Sequence, residues 1–134
     1  YAVRPLKGRF LMLRTLLKAK LRGGRLTGTE LHYEGSIAID RRLMEAADIL
    51  AGEQVHVLNL SNGSRLITYA IPAPAASGAL ALRGAAARLG QTGDEVILLT
   101  YAQVDDLEAR SFRSRVVHLG KHNRLAGKTP KRKA

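Results

Sequence analysis

The pair Asn62-Gly63 constrains this chain more than any other local feature. Both residues tolerate the positive φ of a tight turn, and apolar runs flank them. Residues 53–60 carry Val55, Val57 and Leu60, and a second run follows over 64–71. The pattern predicts a β-hairpin, which Pro72 and Pro74 end. Further short β-favouring runs are Ile37-Ala38-Ile39, residues 79–82, residues 95–104 centred on Val96-Ile97-Leu98-Leu99, and Val116-Val117-His118-Leu119. Residues 11–21 alternate roughly between apolar and basic until Arg22-Gly23-Gly24-Arg25 breaks them as a turn. Asp40 reads as the N-cap of a helix over 41–50, with Leu43, Met44, Ala47 and Leu50 at helical spacing and Gly52 as its stop. Residues 84–89 read as a short alanine-rich helix, and Gly93-Asp94 turns the chain into the next strand. Many short strands with two or three short helices describe a mainly β fold, a small barrel rather than a parallel α/β sheet.

A chain of 134 residues points to one domain, and at that size part of the apolar surface calls for an oligomer partner. Cysteine is absent, which removes disulfides and thiolate chemistry. His32, His56, His118 and His122 lack metal-ligand spacing, so no metal is expected. Aromatic residues are few and tryptophan is absent, against the stacking platforms of single-strand nucleic-acid binding. No apolar run approaches the roughly 18 residues of a membrane span. Leu11-Met12-Leu13, interrupted by Arg14 and Lys18, is too short for a signal-peptide core, so the expected location is cytoplasmic.

The net charge of +11 is unevenly placed. From Arg110 onward there are nine Lys or Arg and no acids, whereas the remainder holds thirteen basic and eleven acidic residues. The organisation expected is therefore an N-terminal extension over 1–11, a barrel domain over 12–119 and a basic, disordered tail over 120–134. Such a tail attracts phosphate without specificity, so nucleic acid is not the expected partner.

Gly35-Ser36 is a common turn dipeptide, but it also permits a particular chemistry. A Ser36 hydroxyl facing the Gly35 carbonyl allows the acyl group to move from nitrogen to oxygen. Elimination then leaves dehydroalanine, which hydrolyses to a pyruvoyl group at a new N-terminus. Glycine keeps the carbonyl open to attack and tolerates strain. A pyruvoyl ketone condenses with a substrate amine and draws electrons from a breaking carbon–carboxylate bond.

Leu31-His32-Tyr33-Glu34-Gly35-Ser36 with Ala38-Ile39-Asp40 resembles the processing site of the pyruvoyl-dependent aspartate 1-decarboxylase family. So do the segment from Leu43 to Leu50, the Asn62-Gly63 hairpin with Arg65 and Thr68-Tyr69-Ala70-Ile71, and Gly84-Ala85-Ala86-Ala87 followed by Gly93-Asp94 and Val96-Ile97. The similarity runs in order from about Met12 to Val117. It implies a small double-psi β-barrel, a homotetramer with active sites shared between subunits, and conversion of L-aspartate to β-alanine and CO2 for pantothenate and coenzyme A synthesis. The cofactor implied is a covalent pyruvoyl group from Ser36, with no pyridoxal phosphate and no metal, and some relatives use a maturation factor. By the same resemblance, cleavage falls between Gly35 and Ser36, Thr68 assists it, and Tyr69 reprotonates the product carbon. Lys20 and Arg65 contact the substrate carboxylates, and Gly84, Ala85, Ala86 and Tyr33 line the substrate site. A planar guanidinium suits a carboxylate bidentately and a lysine acts as a point charge. Read without the resemblance, Lys20 is an ordinary surface cation and Tyr33 a core aromatic.

Two positions depart from the family pattern. Arg22-Gly23 stands where many relatives carry His-Arg, and Arg83 where many carry asparagine. A buried cation needs an acid, solvent or an anionic ligand, so Arg22 and Arg83 mark an altered pocket. An ordinary aspartate decarboxylase, a relative acting on another amino acid, and a poorly processed relative all remain open. The non-enzymatic rival is a basic barrel module that binds nucleic acid through its tail; it predicts an uncut chain.

Overall fold

The structure, a computed structural model, describes residues 11–127. Eight strands form one mixed sheet: β1 (Leu13–Arg25), β2 (Gly28–Glu30), β3 (Ser36–Asp40), β4 (Gln54–Asn59), β5 (Arg65–Ala73), β6 (Leu80–Arg83), β7 (Glu95–Asp105) and β8 (Arg115–His118). The order across the sheet is β2-β6-β3-β5-β4-β7-β1-β8. Two short α-helices, α1 (Arg41–Ala47) and α2 (Asp106–Ala109), and two 3-10 helices, Gly84–Leu89 and Lys121–Asn123, complete the described elements. The fold is mainly β and barrel-like, and the sheet keeps two edges, β2 and β8.

Alternation decides which face is buried. Ala19 and Leu21 of β1, Val55 and Val57 of β4, and Val96 and Leu98 of β7 point inward. Ile37 and Ile39 of β3 meet them at full burial, and Leu43, Met44 and Ala47 of α1 close one end. The sheet curls far enough for its two sides to meet: the Thr27 amide donates to the Leu80 carbonyl at 2.8 Å, and the Leu80 amide donates to Thr27 Oγ1 at 3.0 Å.

The hairpin forms where expected, between β4 and β5. Its turn is held by Asn59, a buried residue whose side-chain oxygen accepts from the amides of Ser61 and Asn62 at 2.8 and 3.2 Å. Pro72 does not end the hairpin strand; β5 runs on to Ala73. Pairing with β4 stops at Tyr69, so the N–H that proline lacks faces no partner on that side. The expected turn at Arg22–Arg25 is instead a bulge inside β1, where the register shifts between Leu21 and Gly24. Gly23 takes φ +81, and a β-carbon on Gly24 would lie 2.7 Å from Leu80 Cδ1, so the two glycines let β1 lie close against its neighbours.

Helix α1 starts at the Asp40 cap, whose carboxylate accepts from the Arg42 amide at 2.8 Å. It stops at Ala47, earlier than expected, because Asp48 turns left-handed at φ 58. Leu50 consequently falls outside the helix and is 70% exposed. The helix over 84–89 is present as a 3-10 helix.

The C-terminal segment differs most from expectation. The described start of the expected tail is anchored on the barrel at buried Asn123 and half-buried Leu125, while the other six of residues 120–127 are exposed. Asn123 is buried; its amide group donates to the carbonyls of Arg25 and Gly78 at 2.8 Å each, and its oxygen accepts from the Arg25 amide at 2.8 Å. A bridge between Leu119 and Leu125 closes the turn. The rest of the expected tail, 128–134, and residues 1–10 of the expected extension lie outside the described residues.

Candidate active site

Ser36 opens β3, in the middle of one half of the sheet, with β6 on one side and β5 on the other. It is fully buried, and its Oγ has no hydrogen-bond partner among the described residues. A buried hydroxyl without a partner costs about 1–3 kcal/mol, so the position is one where the fold tolerates a penalty. The residue before it is exposed: Gly35 ends a turn over 31–35, and the space where a side chain would project from it is open.

The strand register supplies the neighbours. Ser36 pairs with Arg83 across the antiparallel β3–β6 ladder. On the other side, the parallel ladder sets Ile37 beside Ala70. Continued back by one residue, that register brings Ser36 level with Tyr69; continued by two, it brings Gly35 level with Thr68. Alternation then sorts the side chains. Arg83, Ser36 and Tyr69 share the face opposite Ile37 and Ala70, whereas Thr68 lies on the inner side with Leu66 and Ala70. Tyr69 is 39% exposed, so its phenol reaches solvent beside the serine row.

Gly84 adds the close approach that defines the site. It follows Arg83 at φ +68, and a β-carbon there would lie 2.7 Å from the Tyr33 carbonyl oxygen and 2.8 Å from Gly35 Cα. Only glycine fits both the angle and the space. The 3-10 helix that Gly84 begins is pinned at its far end, where the Leu89 carbonyl accepts from the Asn62 side-chain amide at 2.9 Å and from Ser64 Oγ at 3.0 Å. The hairpin turn thereby fixes the helix that presses on the 31–35 segment. Ala85 is exposed and Ala86 packs against the core.

Arg83 forms no ion pair with an acid among the described residues and keeps part of its surface open to solvent. It is half-buried, and its guanidinium stacks on the Tyr33 ring with Cζ 4.6 Å from the centroid. Tyr33, read as a core aromatic when taken alone, is 57% exposed and is the platform for that stack.

The remaining candidates stand elsewhere. Lys20 lies on the outer face of β1, paired with Leu99 and Val116, and β5, β4 and β7 separate its strand from β3. Arg65 is on β5 four residues before Tyr69, about 13 Å along the strand at roughly 3.3 Å per residue. Arg22 is exposed beside His118. A single chain therefore gathers Tyr33, Gly35, Ser36, Thr68, Tyr69, Arg83 and Gly84, and sets Lys20, Arg22 and Arg65 apart on its outer face.

Sequence reasoning weighed His56 only as a metal ligand. It lies on the outer face of β4, edge-on to Tyr101 at 5.0 Å between ring centroids, and its Nδ1 is buried with no partner among the described residues. Together with Thr15, Glu53, Gln54 and Gln103 it lines a cleft of about 400 Å³. The one available signal was its polar place in the alternation of Val55 and Val57. Asn59 was also missed; besides holding the turn it donates to Asp94 at 2.8 Å. That bond and the Gln91 amide hold the Asp94 carboxyl below the ordinary aspartate range.

Fold and site together define a small barrel-like β protein in which a serine hydroxyl is kept from both water and hydrogen bonds, next to an open glycine. The aspartate decarboxylase family model matches residues 12–126. A protein of Acaryochloris marina named Aspartate 1-decarboxylase is 53% identical over 119 residues, 89% of this chain and 91% of its own length. A protein of Gloeobacter violaceus named Aspartate 1-decarboxylase 1 is 54% identical over 114 residues, 85% of this chain and 97% of its own length. The chain belongs to the aspartate decarboxylase family, whose members in general depend on a pyruvoyl group.

Proposed function

We propose that this chain cuts itself between Gly35 and Ser36 and then decarboxylates L-aspartate to β-alanine and CO2, a step of pantothenate and coenzyme A synthesis. The observation that carries the reading is the Ser36 hydroxyl, buried and without a partner directly after an exposed, unobstructed glycine. These residues fit a serine-derived pyruvoyl group: no competing hydrogen bond has to be broken before the hydroxyl attacks the Gly35 carbonyl. The group, once formed, supplies a ketone that accepts electrons from the breaking carbon–carboxylate bond.

The chain's own residues do the rest. Continuing the β3–β5 register brings Thr68 level with Gly35, which supports a role for its hydroxyl at the oxyanion of the acyl shift. Tyr69, on the same face as Ser36 by the continued register, carries a phenol of the kind suited to return a proton to the product carbon. The close approach of Gly84 to Tyr33 and Gly35 supports the 84–86 backbone as a wall of the substrate site.

Lys20 and Arg65 carry the charge that a dicarboxylate needs, yet they stand away from Ser36 in one chain. This favours a homotetramer in which the outer face of one subunit completes the site of its neighbour. Ile67 at 60% and Leu60 at 56% exposure lie near that cationic face and give it apolar area to bury. No helix among the described residues is long and apolar enough to cross a membrane, and a cytoplasmic setting accords with a biosynthetic role.

The test is intact-mass measurement on purified protein, followed by incubation with L-aspartate. Two fragments divided at Gly35-Ser36, the larger blocked to N-terminal sequencing, together with released β-alanine, are expected. One uncut chain after mild heating would overturn the reading. Cleavage without β-alanine, but with turnover of L-glutamate, would move the substrate assignment.

A further inference from the structure

We propose that Arg83 holds the Gly35 end of the processing segment on both sides of the cut: it stacks on Tyr33 in the intact chain and receives the Gly35 carboxylate once the bond is broken. This rests on the self-cleavage proposed above and extends it to a positioning residue that acts through the segment.

Three independent features converge at this point. Arg83 is directly opposite Ser36 in the β3–β6 ladder, so its side chain leaves the sheet on the same face as the serine. Its guanidinium lies over Tyr33, two residues before Gly35, at 4.6 Å. Gly84, the next residue along, is packed against the Tyr33 carbonyl and Gly35 Cα. The segment 31–35 is otherwise exposed, so its position relative to Ser36 depends on these contacts. An acid is also at hand: Glu30 faces Arg83 across the β2–β6 pair. The two form no ion pair within 4.0 Å, and the guanidinium lies against the aromatic ring.

The chemistry of cleavage changes the charge at this spot. Ser36 Oγ bonds to the Gly35 carbonyl carbon as the peptide C–N bond breaks, leaving an ester and a free amine on residue 36. Loss of the residue 36 Cα proton with departure of the ester oxygen then gives dehydroalanine and a Gly35 carboxylate. Water adds and ammonia leaves, without any oxidant or reductant. A neutral peptide has become an anion one residue from the cross-strand partner of a half-buried cation. A guanidinium binds a carboxylate through two parallel N–H donors, which outlasts a stack on an exposed ring. Arg83 therefore changes partner when the chain matures, and Tyr33 and Glu34 lose their anchor while Gly35 gains one.

The experiment follows two readouts in Arg83→Met, Arg83→Lys, Tyr33→Leu and Tyr33→Phe, with thermal unfolding to show that each variant folds. The first is the rate of cleavage by intact mass. Arg83→Met and Tyr33→Leu are expected to slow it about two- to fivefold, the scale of a cation–π contact on an exposed ring, and Tyr33→Phe to recover much of what Tyr33→Leu loses. The second is trimming of the mature small fragment by carboxypeptidase. Gly35 is expected to be removed several-fold faster in Arg83→Met than in wild type, with Arg83→Lys between them; a purely structural role for Arg83 would not move this readout at equal thermal stability. Wild-type cleavage with Arg83→Met unchanged in both rate and trimming would overturn the inference and leave the self-cleavage reading standing. An uncut wild-type chain would overturn both. Tyr33 variants reach the clamp without touching the sheet, so a misfolded Arg83 variant does not end the test.

Discussion

A β-carbon on Gly84 would stand 2.8 Å from Gly35 Cα, which makes the start of the 84–89 helix the floor on which the processing segment rests. Alanine there meets two penalties. Its φ of +68 is left-handed, costing about 1–2 kcal/mol for a residue with a side chain, and the methyl group collides with the backbone at Gly35 and Tyr33. Gly84→Ala is expected to lower stability by at least that amount and to slow cleavage by roughly tenfold or more, since the displaced carbonyl is the one under attack. Thermal unfolding and a mass time course check both; a variant that cuts at the wild-type rate would show that Gly84 does not set the segment's position.

Tyr69 tests the second half of the chemistry separately from the first. Its ring shares the outer face with Ser36, one strand away, and its phenol is accessible. Tyr69→Phe keeps the ring and removes the proton. Cleavage is expected to go to completion, whereas kcat for L-aspartate falls by about 10²–10⁴, the usual contribution of a positioned acid. Unchanged turnover in the fully cut variant would assign the proton to another group.

What could be read from sequence follows a physical division. The hairpin was legible because Asn62-Gly63 and the flanking alternation are local, and local patterns survive into the fold. The Gly35-Ser36 segment was legible through its resemblance to a family, not through its own composition. Arg83 was legible as an anomaly but not as a stack, because Tyr33 and Arg83 are brought together only by the β3–β6 ladder. Pro72 misled because proline blocks only a strand edge that has a partner, and β4 has already ended there. Asn123 was hidden inside a basic run whose average charge suggested solvent, yet three hydrogen bonds to Arg25 and Gly78 draw it in.

The acid limb of stability should depend on Asp94. Its carboxyl is held below the ordinary 3.8, chiefly by the Asn59 amide and next by the Gln91 amide, with desolvation opposing them. A folded value below the unfolded one stabilises the fold fully above the unfolded pKa, and that stabilisation is lost as pH falls through the folded pKa. Asp94→Asn is therefore expected to flatten the stability profile below about pH 4 relative to wild type. Urea unfolding at several acidic pH values decides the point, and an acid limb as steep as wild type would place the linkage on another carboxylate.

Asn123 supplies the sharpest test of where the fold ends. Its side chain joins the end of β1 to the turn before β6, beside the Thr27–Leu80 hydrogen bond where the two sides of the sheet meet, so it reinforces that junction. Asn123→Ala removes three bonds of 2.8 Å and leaves the Arg25 amide and two carbonyls without that partner. It also puts alanine at φ 56, an angle asparagine tolerates better. The expected loss is about 2–4 kcal/mol at roughly 1 kcal/mol or more per bond. Lys121→Ala, two residues earlier and exposed, is expected to change stability by no more than about 0.5 kcal/mol. Denaturant unfolding separates the two. Equal, small effects would mean that the segment after β8 rests on the barrel without supporting it, and a large effect confined to Asn123 would place the domain boundary beyond it.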